Sequence, residues 1–550
     1  MIKRKTQSND KKDNMNLIEE KADNTVEEND TVDPAEINLA EMSEGEEKQN
    51  KLTEEIPGGK KEDSNEGLPL PLGDLNSGLS FQHIESAELV LPYDYYHQIH
   101  NYLFSDTSRE YACQVWCGKA IIGNCLRLYA RYLSFPQVSD YLHQSIASLE
   151  LDNKYDWIIY GECKQLGLSV VDFHSHPFSG NHVGFSGTDN ADEVGKFHYF
   201  KRHLPESHYA SIVMGKSSFD GRIFLSQENS DKPRVLPLKI ISREVPIVKP
   251  IPKNEGVSAE KRFDRQIRAF GKEGQANLSS MRIGIVGVGG MGATLAIGLV
   301  RLGVRKLALI DHDQVEETNL NRLAGMTRID AKLKPYKVEM VARRLMEIDG
   351  EIDIDCFTSD VFEPAAWQKL RGVDLIIAST DNHSSRMLLN TIAHQYLVPV
   401  ISVGTLIDTE NGKFKGAYGH VYSILPGQAE PCLLCSDTIN KREAYYELGP
   451  NENRQEALTR GYIKDFNIPD PSVYHLNGLL GNLALIEIHN LACGFMDRRV
   501  EIQYDMEKRQ ILSVENSAKC CAVCSPSGGI FGMGDLIDPI TTLFPFKNAK

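Results

Sequence analysis

The stretch Arg282-Ile-Gly-Ile-Val-Gly287-Val-Gly289-Gly290-Met-Gly292 decides the fold of the second half of this chain. It opens as a short apolar run, the length of one buried strand, and then breaks into glycines. Glycines at that point let the backbone turn and approach a phosphate. The helix that follows aims its first N–H groups, and its positive end, at the same spot. A second apolar run, Lys306-Leu-Ala-Leu-Ile-Asp311, ends in a carboxylate 24 residues after Gly287, placed to accept ribose hydroxyls. Val373-Asp-Leu-Ile-Ile-Ala-Ser379 and Val398-Pro-Val-Ile-Ser-Val403 read as further buried strands. Strands alternating with helices predict a parallel sheet with crossover helices. The glycines alone fit an NAD or FAD oxidoreductase equally well.

Four neighbouring runs separate the alternatives. They are Asp311-His-Asp313-Gln-Val-Glu-Glu-Thr-Asn319-Leu-Asn-Arg322, Arg262-Phe-Asp-Arg265-Gln-Ile267 with Gly274-Gln275, Lys334-Pro-Tyr-Lys337, and Ser379-Thr-Asp381-Asn382. Together they resemble the signatures of ThiF, MoeB and the ubiquitin-activating enzymes, over about residues 260–530. The resemblance implies a Rossmann-like adenylating domain in which a carboxylate attacks the α-phosphate of ATP and pyrophosphate leaves. Charge that builds on the phosphates calls for cations, here Arg322, Lys337 and Arg265; nicotinamide chemistry needs no such cluster. The resemblance further implies that Gly287, Gly289, Gly290, Gly292, Asp311, Asp313 and Asn319 contact the nucleotide. Asp381 would position magnesium, and Arg265 would reach a partner subunit's site, which makes the expected state a homodimer.

Two pairs, Cys432-Leu-Leu-Cys435 and Cys521-Ala-Val-Cys524, offer four thiolates and no open position, so a zinc held there is expected to be structural. Cys520 is an adjacent competitor. Relatives that form a thioester carry a cysteine ahead of the helix that begins near Val473; the run Gly461-Tyr-Ile-Lys-Asp-Phe-Asn-Ile-Pro-Asp-Pro471 has none, and Cys493 reads as core.

The first half carries different chemistry. Phe173-His174-Ser175-His176-Pro177 ends an apolar strand, and residues i and i+2 of a strand share a face, so the two imidazoles can grip one metal. Ser186-Gly-Thr-Asp189 follows at the start of a helix and can add a third ligand, leaving one position for water as in catalytic zinc sites. These residues resemble the JAMM/JAB (Mov34/MPN-type) zinc isopeptidase motif, over about residues 80–245. The resemblance implies that Glu110 is the general acid/base and that Ser186 stabilises the oxyanion. Nine residues separate His176 from Ser186, two more than the family's usual spacing. His182, inside that tract, is a spare candidate ligand.

Bulk properties bound the rest. The chain has 550 residues, too many for one core, with 41% apolar and 25% charged residues. A net charge of −16 argues against nucleic acid as a partner, and the sequence has no apolar run long enough to span a membrane. The eleven cysteines do not read as a disulfide framework and suit a cytoplasmic setting. Residues 1–78 hold 20 acidic and 10 basic residues and no Phe, Trp or Tyr, the composition of a disordered acidic tail.

The expected organisation is therefore an α/β chain with an α+β JAB-type zinc hydrolase domain over 79–245 and a Pro-rich linker over 246–258. A Rossmann-like parallel-sheet ThiF domain follows over 259–535, with a C-terminal tail over 536–550. Both resemblances imply one ligand, a ubiquitin-like or sulfur-carrier protein ending in Gly-Gly. The expected function is bifunctional, using two zinc ions, ATP and magnesium: cleavage of an (iso)peptide bond at that C-terminus, then adenylation of its glycine. The alternatives are a binding or scaffold module with one domain inactive, and a sulfur-carrier activating enzyme for cofactor or amino-acid synthesis.

Overall fold

The computed structural model describes residues 84–225, 232–241, 261–428, 430–449, 451–460, 470–514 and 519–544. The acidic segment 1–78, the linker 246–258 and most of the run 461–471 lie outside the described residues.

The first half is built on strands β1 (Ser86–Pro92), β2 (Ala112–Ile122), β3 (Cys125–Ser134), β4 (Tyr141–Gln144), β5 (Leu149–Leu151), β6 (Ser169–Ser175), β7 (Tyr209–Met214), β8 (Phe219–Phe224), β9 (Arg234–Val235) and β10 (Leu238–Ile241). Eight of them form one sheet in the order β10-β1-β3-β2-β6-β7-β8-β9, and β4 and β5 pair separately. Strand β6 lies inside this sheet, antiparallel to β2 and parallel to β7. Its alternation explains its use: Val171 and Phe173 enter one core, while Asp172 and His174 face the other side. The helix Gly187–His203 covers that side, and its Phe197 and Phe200 pack with Val170, Tyr209 and Phe224.

The second half carries β11 (Arg282–Val286), β12 (Lys306–Ile310), β13 (Asp353–Phe357), β14 (Leu375–Ala378), β15 (Val400–Glu410), β16 (Lys413–Ile424), β17 (Glu501–Asp505) and β18 (Gln510–Val514). The order is β13-β12-β11-β14-β15-β16-β17-β18. The first five strands are parallel, as the alternating pattern predicts. The last three extend the sheet antiparallel, an addition to the expected parallel sheet. The turn between β15 and β16 is the pair Asn411-Gly412, both at positive φ, between the partners Glu410 and Lys413. That two-residue turn matches the right-handed twist of the strands and folds β16 straight back on β15.

The two halves share one continuous core. Residues 528–537 run between them. On one side the Gly118 N–H donates to the Gly532 carbonyl at 3.1 Å, the Asp535 N–H to the Lys119 carbonyl at 2.7 Å, and Arg131 to the carbonyls of Phe531 and Gly528. On the other, the Gly532 and Gly534 N–H groups donate to the carbonyls of His394 and Gln395. In the segment expected as a C-terminal tail, 536–550, the described residues include the short helix Pro539–Leu543 and the buried Phe544.

Candidate functional site

In the second half, the ends of β11 and β12, the segments that follow β13 and β14, and residues 403–406 of β15 line one cavity of about 860 Å³. This is where the topology reverses: β12 lies on one side of β11 and β14 on the other, which opens a crevice at the strand ends. Gly287, at the end of β11, has φ +86°, and a Cβ at Gly292 would stand 2.0 Å from the Gly287 carbonyl. Those two positions therefore exclude any side chain, and the turn closes against the helix Gly290–Leu302. Asp311, at the end of β12, accepts the Val288 N–H at 2.7 Å and the Asp313 N–H at 2.8 Å. Burial pushes its carboxyl up, against the pull of Lys337 and these N–H groups.

The cavity brings together Gly287, Gly289, Gly290, Asp311, Asp313, Arg322, Lys337 and Asp381. Lys337 Nζ donates to Asp313 at 2.6 Å, and the Arg322 guanidinium donates to the Thr318 carbonyl at 2.8 Å. Asn319 sits in a small adjoining crevice with Arg322 and Lys337. Its side chain accepts the Glu316 N–H, so it also holds the turn. Arg265 is exposed on the short helix Asp264–Phe270 and does not line the cavity.

Two cavity residues escaped the sequence reading. Arg386 projects from the helix His383–Gln395 and donates to the Thr380 carbonyl at 2.8 Å. Burial lowers its pKa, against the opposing pull of Asp381 and Glu447. His420 on β16 has its pKa lowered to about 3 by burial and by Arg386. Arg386 follows Asp381 by five residues on a mostly buried helix, a signal the sequence did offer. Nothing local marked His420, because it depends on the antiparallel extension.

The four thiols Cys432, Cys435, Cys521 and Cys524 converge, with neighbouring sulfurs 3.6–3.9 Å apart. Zinc–sulfur bonds of about 2.3 Å in a tetrahedron put sulfurs about 3.8 Å apart, so the cluster fits that ion. Cys520 is exposed and outside it. Cys493 packs against Gly274, and burial pushes its thiol up to about 11, which suits core rather than a nucleophile.

In the first half, His174, His176 and Asp189 offer ligand atoms within 4.8 Å of one another. Asp189 Oδ2 lies 3.6 Å from His174 Nε2 and 3.5 Å from His176 Nε2. The same carboxylate accepts the Ser186 N–H at 2.5 Å, and the Ser186 hydroxyl accepts the Asp189 N–H, a reciprocal cap on the helix Gly187–His203. Burial works against the Asp189 charge, but the two imidazoles and this cap outweigh it and hold its pKa well below the carboxylate range. Glu110 Oε1 stands 3.8 Å from His176 Nε2. Its backbone is held by the Ser145 carbonyl and the Gln144 side chain, and burial raises its carboxyl to about 7, opposed by His176 and assisted by Asp189. His182 is exposed and not part of the cluster.

Residues 263–523 match the model of the ThiF family. The sulfur carrier protein ThiS adenylyltransferase of Bacillus subtilis is 31% identical over 176 residues, 32% of this chain and 49% of its own. The adenylyltransferase and sulfurtransferase MOCS3 of Aedes aegypti is 33% identical over 271 residues, 48% of this chain and 55% of its own. The molybdopterin-synthase adenylyltransferase of Salmonella typhimurium is 34% identical over 176 residues, 32% of this chain and 66% of its own. The matches thus span about half to two thirds of the length of these curated relatives. Among the described residues, no helix is long and apolar enough to cross a membrane.

Proposed function

We propose, from a ThiF/MoeB-like domain at residues 263–523, that this chain adenylates the C-terminal carboxylate of a small sulfur-carrier or ubiquitin-like protein. The observation that carries the reading is the convergence of the glycine turn, two acidic strand ends and two cations on one open cavity. The relatives named as adenylyltransferases, one of them for the sulfur carrier ThiS, support the same chemistry. In the step proposed, a carboxylate oxygen of the carrier attacks the α-phosphorus of ATP and the bond to the bridging oxygen breaks. Pyrophosphate leaves with the electron pair. Asp311 receives the ribose, the N–H groups after Gly287 receive the phosphates, and Arg322 and Lys337 balance the growing charge. Asp381 is the residue we assign to magnesium, which supplies further charge neutralisation when bound. Arg265, exposed outside the cavity, is assigned to the site of a second copy. Incubation with ATP and a Gly-Gly-ended carrier should yield pyrophosphate and a carrier heavier by AMP. A carrier lacking the terminal glycines should not react, and equal reaction of both would overturn the substrate assignment.

A second reading concerns the first half, and the geometry of His174, His176, Asp189 and Glu110 favours it: a metal-dependent hydrolase acting on the (iso)peptide bond at a ubiquitin-like C-terminus. The His174 Nε2 atom is buried with no hydrogen-bond partner, and three ligand atoms face one point, as a three-ligand zinc site requires. Zinc held by these three would supply a Lewis acid that polarises the scissile carbonyl and acidifies water. Glu110, with its carboxyl near neutrality, takes the proton from the attacking water and returns it to the leaving amine. The Ser186 hydroxyl retains its own proton to donate toward the oxyanion. Metal analysis should find two zinc ions per chain, with the four-thiolate ion resisting chelators longer. A single ion in folded protein would contradict this second reading and leave adenylation standing.

A further inference from the structure

Of the three ligands in the proposed zinc site, Asp189 alone comes from outside the β6 segment. His174 belongs to the end of β6, whose neighbours β2 and β7 fix its register, and His176 follows the strand directly, its N–H donating to the Met214 carbonyl at 2.8 Å. Asp189 sits in the first turn of the helix Gly187–His203, reached across the nine-residue tract 177–185. Its position depends on how that helix is seated and on where the tract delivers the cap residue Ser186.

One side chain on β8 contacts both. Arg222 is ion-paired with Glu193, which lies one turn beyond Asp189 and therefore on the same face of the helix. Glu193 is 4% exposed and also accepts the Ser211 hydroxyl of β7. The same guanidinium lies over the ring of Phe185, 3.6 Å from its centroid. Phe185 immediately precedes Ser186, and its ring stands edge-on to His174 at 5.9 Å. The rest of the tract is fastened to the turn between β7 and β8. There the Lys216 N–H donates to the Ser179 carbonyl at 3.2 Å, and the Ser218 hydroxyl donates to the Gly180 carbonyl at 2.9 Å.

We propose that Arg222 is a positioning residue of the His174–His176–Asp189 site: by holding Glu193 and Phe185 at once, it sets the distance of the Asp189 carboxylate from the two imidazoles. The inference rests on the zinc reading above. A planar guanidinium is what the double contact demands. Lysine could keep the charge pair with Glu193 but cannot lie flat on a phenyl ring.

The test uses the full chain loaded with cobalt(II), whose ligand-field bands at a His-His-Asp site are distinct from the thiolate charge-transfer band of the four-cysteine site. Cobalt affinity at the His-His-Asp site is measured by chelator competition. In Arg222→Met it should fall about tenfold or more, comparable to the loss of an outer-shell partner, with altered ligand-field bands and an unchanged charge-transfer band. Arg222→Lys should recover part of the affinity. Phe185→Leu, which keeps the Glu193 pair but removes the ring that lies under Arg222 and edge-on to His174, should lower it while the fold persists. If Arg222→Met also loses the charge-transfer band, the protein has unfolded and Phe185→Leu decides. Wild-type affinity and bands in Phe185→Leu and Arg222→Lys would overturn the positioning role. A wild-type chain that binds cobalt only through its thiolates would overturn the zinc reading itself, and this proposal with it.

Discussion

Lys239 Nζ lies 2.9 Å from Asp374 Oδ1, and both side chains are buried, at 6% and 1% exposure. Lys239 belongs to β10 in the first half, and Asp374 stands just before β14 in the second, where its other oxygen accepts the Arg282 N–H at 2.9 Å. The pair joins the edge of one sheet to the central strands of the other. A buried carboxylate that loses its cation costs about 3 kcal/mol or more. Lys239→Met should therefore lower the denaturation midpoint of both halves together, in one transition. Two separate transitions in the wild type, or an unshifted midpoint in the variant, would show that the halves behave as beads on a linker.

The run from Cys521 to Asp535 extends this coupling. It starts in the thiolate cluster and continues as the strap bonded to Gly118, Lys119 and Arg131. Stripping the metal from the four cysteines should loosen the strap. Amide exchange of residues 112–134 should then accelerate by about tenfold or more, since each hydrogen bond lost contributes about 1 kcal/mol. Acceleration confined to the cysteine loops would contradict this.

Acid should destabilise the fold through its buried neutral histidines. Burial, with Lys119 and Arg386 respectively, holds His208 and His420 down to about 3, whereas an unfolded histidine titrates near about 6.5. The folded values lie below the unfolded one. The stability contributed is thus fully present above about pH 6.5 and is lost as pH falls below it, because only the unfolded chain takes up the protons. Each group accounts for about 1.4 kcal/mol per pH unit in that window. His208→Gln should flatten the decline of unfolding free energy between about pH 6 and pH 4.5; an unchanged slope would place His208 outside this effect.

Glu110→Gln should lower cleavage of a ubiquitin-like C-terminal fusion by about 100- to 10,000-fold, the range for losing a general acid/base. Because Glu110 is not among the three ligand residues, the labile zinc should stay bound, and pyrophosphate exchange should be unaffected. Retained cleavage would assign the proton transfers elsewhere.

The parts of this molecule legible in its sequence are those with local signatures. The glycine turn after β11, the alternation that puts His174 and His176 at the end of β6, and the paired cysteines each declare themselves within a few residues. Asn411-Gly412 carries the signature of a hairpin turn as well, but the strands identified from the sequence stop short of it. The strap, Lys239–Asp374 and the Arg222–Phe185 stack had no local mark. Each joins residues far apart in the chain, and a single polar residue in an apolar run looks the same whether its partner is water or a buried ion. His420 was hidden for the same reason: its environment is made by β16 folding back along β15 beside the cavity.

Adenylation itself is tested most directly by exchange of labelled pyrophosphate into ATP, with a Gly-Gly-ended carrier present. Arg322 and Asp381 both line the cavity, and each is assigned to charge that grows as the α-phosphate is attacked. The wild-type chain should catalyse exchange, and Arg322→Ala and Asp381→Ala should each lose about 100- to 1000-fold, the usual cost of removing such an electrostatic group. Cys493→Ser should exchange like the wild type. Wild-type rates in Arg322→Ala and Asp381→Ala, with ATP still bound, would contradict an adenylating role for this cavity.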